Sequence, residues 1–72
     1  MTQVLIIDDH PIVRRGLKEV LQPEENLELS EASDAREALA LMKQKSFGLV
    51  ILDLDLPGSS GLDLLKEIRR NH

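Results

Sequence analysis

Four aspartates stand in two short groups, Asp8-Asp9 and Asp53 with Asp55. Each group follows an unbroken apolar run, Val4-Leu5-Ile6-Ile7 in the first case and Leu49-Val50-Ile51-Leu52 in the second. Carboxylates crowded together repel one another unless protons or a cation intervene. A ligand set made of oxygens, without His or Cys, favours a hard ion such as Mg2+. Mg2+ with open coordination positions suits phosphoryl groups. A carboxylate beside it can serve as nucleophile and become an aspartyl phosphate. That chemistry requires the two groups to meet in space, so the elements that carry them decide the matter.

The two apolar runs are rich in β-branched residues and fit strands buried on both faces, as in parallel sheets. A third run, Leu27 to Ala32, alternates Leu-Glu-Leu-Ser-Glu-Ala. Alternation marks one wet face or an exposed edge. A helical stretch follows each strand. Pro11 suits the first turn of a helix, where its missing N–H does no harm. Val13, Leu17, Val20 and Leu21 follow as its apolar stripe, and Gly16 is read as a point of close packing on the sheet. Pro23 with Glu24, Glu25 and Asn26 makes a loop. Asp34 and Glu37 have the spacing of a capping pair. Ala35, Ala38, Leu39 and Met42 form the second helix's apolar stripe, with Lys43 and Lys45 at the end that favours cations. The third helix begins at Ser60, with Asp63 at the capping-box position. Leu62, Leu65 and Ile68 are its predicted buried stripe, and Arg69, Arg70 and His72 load its end with positive charge.

Strands alternating with helices imply parallel pairing through right-handed crossovers. The two fully apolar strands belong in the centre, so the predicted order is 2-1-3. Helix 1 then covers one face and helices 2 and 3 the other. Ligands in open α/β sheets bind beyond the carboxyl ends of the strands, where the strand order reverses. In order 2-1-3 that crevice lies between strands 1 and 3, so Asp8, Asp9, Asp53 and Asp55 are predicted to converge on a metal site. Acids at strand ends also cap helices, and either Asp9 or Asp55 alone would read that way. Two groups at equivalent ends of two buried strands favour the metal site. His10 is read as a solvated loop residue, Asp63 as a helix cap, and Ser59-Ser60 as a turn. The pairs Arg14-Arg15 and Arg69-Arg70 are read as solvated helix faces. No glycine-rich phosphate loop is present, which removes an NTPase reading.

At 72 residues the chain has room for one domain with a thin core. Chains of this size generally need a staple or a partner, and the absence of Cys removes a disulfide staple. A net charge of −4 argues against nucleic-acid contact by this segment. One aromatic residue, Phe47, leaves little for stacking on bases. No apolar run reaches the length of a membrane span, and the expected setting is soluble and intracellular.

The runs Val4-Leu5-Ile6-Ile7-Asp8-Asp9-His10-Pro11 and Leu49-Val50-Ile51-Leu52-Asp53-Leu54-Asp55-Leu56-Pro57-Gly58, with Gly61-Leu62 after them, resemble the receiver domain of bacterial two-component response regulators. The Asp8-Asp9-His10-Pro11 and Glu31-Ala32-Ser33 segments are similar to the LuxR/NarL-like subfamily, which carries a C-terminal helix-turn-helix DNA-binding domain for transcription regulation. The resemblance covers the whole chain and implies a flavodoxin-like α/β fold. It implies that Asp53 is the phosphoacceptor, Asp9 a direct carboxylate ligand of Mg2+, and Asp8 a ligand acting largely through water. Asp55 would bind the ion through its backbone carbonyl. In the implied mechanism the Asp53 carboxylate attacks a phosphoryl group held on a histidine of a sensor histidine kinase, with Mg2+ bridging carboxylate and phosphoryl oxygens. Such a module relays a phosphoryl group in the cytoplasm and is not a turnover enzyme.

The family has five βα units, and residues 1–72 correspond to the first three, read here as a single truncated domain. The family's Ser/Thr at the end of strand 4 and Lys at the end of strand 5 have no counterpart. The acid half of the site is therefore present without the half that holds the phosphoryl oxygens, and uptake by Asp53 calls for those groups from another chain. An apolar strand 3 with an open edge invites pairing, so a homodimer or larger assembly is expected, by strand pairing or exchange of elements. Two competing readings stand beside this one. Asp53-Leu54-Asp55 resembles the Asp-x-Asp signature of haloacid-dehalogenase-like phosphatases, although Leu56-Pro57 departs from it and Asp8-Asp9 is left unexplained. The other is a self-associating fragment with no phosphoryl chemistry.

Overall fold

The computed structural model describes residues 1–53 and 61–71. Three βα units follow one another: β1 (Thr2–Ile7), α1 (Pro11–Leu21), β2 (Leu27–Ala32), α2 (Ala35–Gln44), β3 (Leu49–Leu52) and α3 (Gly61–Asn71). The sheet is parallel throughout, in the order β2-β1-β3 expected from the apolar pattern. Thr2 to Ile7 face Leu27 to Ala32 on one side, and Val4 to Ile7 face Leu49 to Leu52 on the other.

β1 is the centre of the molecule. Val4, Leu5, Ile6 and Ile7 are all wholly buried. Side chains alternate between the two faces of a strand, so burial on both faces needs helices on both. Leu5 and Ile7 join Ala32, Ala38, Met42 and Leu64 in one core cluster, which places α2 and α3 together on that face. Ile6 faces the other way, in register with Glu31. Glu31 binds Arg14 and Lys18 of α1, so α1 lies on the Val4–Ile6 face. α2 starts as its spacing predicts: Asp34 Oδ1 accepts the Glu37 N–H at 2.8 Å. The Glu37 carboxylate turns back to Ser33 instead of closing the capping box on Asp34.

Three sequence expectations are corrected by the packing. The stripe on α1 is not a buried one: no α1 residue is fully buried, and Val13 and Val20 stand exposed. The Glu31 anchor draws the polar side of α1 onto β2, and the apolar stripe reaches the sheet only through its half-buried members Leu17 and Leu21. Gly16 is no close-packing point, since a methyl group there would meet nothing within 4 Å. In α3 the buried anchor is Leu64, with Leu65 and Ile68 only half-buried. The Leu62 side chain, Ser59, Ser60 and His72 lie outside the described residues.

Candidate functional site

The site forms where the β1 and β3 ladders end. The pairing runs one residue past each apolar run into the acids. The Asp8 N–H donates to the Ala32 carbonyl at 3.0 Å, and the Asp53 N–H donates to the Ile7 carbonyl at 2.9 Å. The backbone of both acidic positions is thereby set by the sheet. One ligand atom from each of Asp8, Asp9, His10 and Asp53 falls within 4.8 Å of the others. Asp8 is buried, Asp9 and Asp53 are half-buried, and His10 is open to solvent. The predicted convergence of Asp8, Asp9 and Asp53 is thus seen in space. Asp55 lies outside the described residues.

His10 was legible only as a loop residue, yet its ring joins the acids. Its backbone N–H donates to Asp8 Oδ1 at 2.8 Å, an Asx-type turn that carries the chain from β1 into α1. The turn swings the imidazole back over the carboxylates. Nδ1 lies 2.9 Å from Asp8 Oδ1, 3.0 Å from Asp9 Oδ1 and 3.7 Å from Asp53 Oδ2. An Asp followed two residues later by His ahead of a helix-starting Pro is the local signal that could have found it. Arg14 departs from the solvated face expected of it. Its side chain is only 18% exposed and reaches both Asp8 and Glu31. Arg15 is the solvated member of that pair, 83% exposed.

The acid set fits a divalent cation on its own terms. Asp9 Oδ1 is buried and accepts no hydrogen bond, and the His10 ring nitrogen lies 3.0 Å from it as an ion-pair neighbour. A buried carboxylate oxygen without a hydrogen bond calls for positive charge beside it, which the His10 ring supplies when protonated and a bound cation would supply in its place. The carboxylates of Asp8, Asp9 and Asp53 would hold such an ion, with oxygen chemistry that suits Mg2+.

The hydrogen bond to Asp8 and the Asp9 charge beside it hold the His10 imidazolium above its usual range, with Asp53 adding to the effect. A raised folded-state value means the protonated ring favours the native state. That contribution is complete below about pH 6.5, the ordinary imidazole value, and is lost as pH rises through the raised value. In metal-free protein an NMR titration of the His10 ring should give a midpoint above the free-imidazole value. Asp8→Asn should bring it down.

A parallel α/β sheet whose strand order turns at β1, with carboxylates gathered beyond the tips of β1 and β3, is a doubly wound domain with an acidic cluster at its switch point. The family model for the response regulator receiver domain matches residues 4–72, and the chain belongs to that family. It is 43% identical over 68 residues to a nitrate/nitrite response regulator protein homolog of Haemophilus influenzae, covering 93% of this chain and 33% of the relative. The chain therefore spans about a third of that curated relative's length. Among solved structures it resembles the response regulator protein TrrA of Thermotoga maritima in complex with Mg2+-BeF. The TM-score is 0.88 at 44% identity, over 97% of this chain and 60% of that one. It also resembles a chain in the complex of histidine kinase ThkA with TrrA, with TM-score 0.90 and 43% identity over 100% of this chain and 61% of that one. The fold is thus the flavodoxin-like receiver fold. No described helix is long and apolar enough to cross a membrane.

Proposed function

We propose that this chain is the acid-bearing part of a phosphoryl-accepting receiver, with Asp53 as phosphoacceptor and Asp8 and Asp9 as the side chains that hold Mg2+. Asp55 would add its backbone carbonyl. The observation that carries this reading is the meeting of Asp8, Asp9 and Asp53 within one ion's reach at the switch point of a receiver fold. An Asp53 carboxylate oxygen forms a bond to phosphorus as the bond from phosphorus to a histidine nitrogen of a sensor kinase breaks. The products are an acyl phosphate on Asp53 and a free histidine. Bound Mg2+ supplies neutralising charge where carboxylate and phosphoryl oxygens approach. The sheet holds Asp53 in place through the Ile7 carbonyl, while the half-buried setting keeps one side open to a donor.

Residues 1–72 correspond in this reading to the first three of five βα units, in keeping with the 60% of the TrrA chain that they span. The donor is a sensor histidine kinase, by analogy with the ThkA–TrrA complex, and the setting is the cytoplasm. The output is control of a C-terminal DNA-binding domain, by analogy with the nitrate/nitrite regulator homolog. The module relays a group and does not turn over substrate. The receiver family match and the presence of Asp8-Asp9 in the cluster disfavour the phosphatase alternative.

Calorimetric titration with Mg2+ is the direct test. Saturable binding is expected, with affinity lowered when Asp9 is changed to Asn. Binding that is absent, or unchanged in Asp9→Asn, would remove the basis of the proposal. Self-association belongs to the same reading: among the described residues β3 pairs only with β1, and Leu49 on it is 47% exposed. Light scattering behind size-exclusion chromatography should give a mass of at least two chains, and a stably folded monomer would contradict it.

A further inference from the structure

The acidic turn is braced from outside by a charged chain that crosses from β2 to α1. Lys18 Nζ lies 3.0 Å from Glu31 Oε2, and Arg14 Nε donates to Glu31 Oε1 at 3.2 Å. From the same guanidinium, Nη1 donates to the Asp8 carbonyl at 2.6 Å. On the other edge of that residue, the Asp8 N–H is bonded to Ala32. Asp8 is thus tied at both backbone polar groups, and the peptide plane that launches Asp9 is set by Arg14. Glu31 sits one residue before Ala32 on β2, so both ties trace back to the end of the same strand.

From this geometry we infer that Arg14 is a positioning residue for the Mg2+ site. It orients the Asp8–Asp9 peptide so that the buried Asp9 carboxylate oxygen faces the ion, and Glu31 anchors it in that pose. The inference rests on the proposed Mg2+ site. The planar guanidinium is suited to the task because its fork serves two acceptors at fixed angles, which a lysine ammonium does not reproduce. Charge alone predicts the opposite outcome. Arg14 is a cation near a cation site, so removing it should tighten Mg2+ if only electrostatics mattered. A positioning role predicts weaker binding, and outer supports of metal sites commonly matter by about tenfold or more in affinity.

The test is Mg2+ affinity by calorimetry on the full chain, in wild type, Arg14→Met, Arg14→Lys, Glu31→Gln and Arg15→Ala. Met keeps an unbranched apolar stem and loses the fork. We expect Arg14→Met to bind Mg2+ roughly tenfold more weakly. Arg14→Lys should remain weakened although its charge is kept. Glu31→Gln should be weakened too, and Arg15→Ala should stay within about twofold, as befits an exposed side chain. Amide hydrogen exchange at Asp9 and His10 in metal-free protein should quicken in the Arg14 variants while exchange in β1 stays slow. Wild-type affinity in a folded Arg14→Met protein, or tighter binding, overturns the inference. Restoration by Arg14→Lys overturns it as well, since charge would then suffice. Should Arg14→Met fail to fold, Arg14→Lys and Glu31→Gln decide on the same criteria. Absence of Mg2+ binding in wild type instead overturns the underlying site.

Discussion

Asp53→Asn should abolish phosphoryl uptake. Any rise in the intact mass of the wild-type chain by one phosphoryl group, on incubation with a small-molecule phosphodonor and Mg2+ and with the missing phosphate-holding groups supplied by another chain, should be absent from the Asn variant. The reason is chemical: an amide in place of the carboxylate has no anionic oxygen to form the acyl phosphate. The substitution is nearly isosteric at the tip of β3, where the backbone is held by the Ile7 carbonyl, so the fold should survive it. A mass gain that persists in Asp53→Asn would disprove the nucleophile assignment. No gain in either protein incubated alone, with Mg2+ bound, would assign transfer to groups supplied by another chain.

The largest stability effect is expected at Leu5. Its side chain is wholly buried in the cluster that joins β1 to α2 and α3. Truncating a buried leucine to alanine costs about 2–5 kcal/mol, depending on how far the site can collapse. A core in a domain this small rarely supplies more than about 3–5 kcal/mol in all. Leu5→Ala should therefore remove most of the native state, seen as loss of the helical circular-dichroism signal in buffer and of a native baseline in urea. Ile12→Ala is the control. Ile12 is 84% exposed at the start of α1, and its truncation should change the unfolding free energy by no more than about 0.5 kcal/mol. A cooperative urea transition for Leu5→Ala close to that of wild type would contradict the core assignment.

The sheet was the legible part of this molecule. Two unbroken apolar runs and one alternating run gave strand identity, strand order and the position of the acids, because burial on two faces and on one leave different sequence patterns. The ends of β2 and β3 and the start of α1 coincide with the expected residues for that reason. What escaped was everything that depends on contact across elements. Arg14 and Glu31 are seventeen positions apart, and nothing local distinguishes Arg14 from its solvated neighbour Arg15. His10 reads as a solvated loop residue from its place after the acid pair, and its ring is largely exposed; only the turn geometry brings Nδ1 over the acids. In α3, Leu62, Leu64, Leu65 and Ile68 offer two overlapping stripes, and only docking on the sheet selects Leu64. The site followed the same division. Its carboxylates were readable from strand ends, while its imidazole and its guanidinium support were not.

The wholly buried β1 also dictates where this chain can be lengthened. One extra residue between Val4 and Ile7 would exchange the two faces of the strand and turn its apolar side chains out of their pockets. The exposed bend from Gln22 to Asn26 has no face to keep: Glu24 and Glu25 sit between the end of α1 and the start of β2, held by two local turn bonds, the Glu24 N–H to the Leu21 carbonyl and the Leu27 N–H to the Glu24 carbonyl. An epitope tag or a reporter inserted between those two glutamates would leave the strand tips, and the carboxylates they carry, undisturbed.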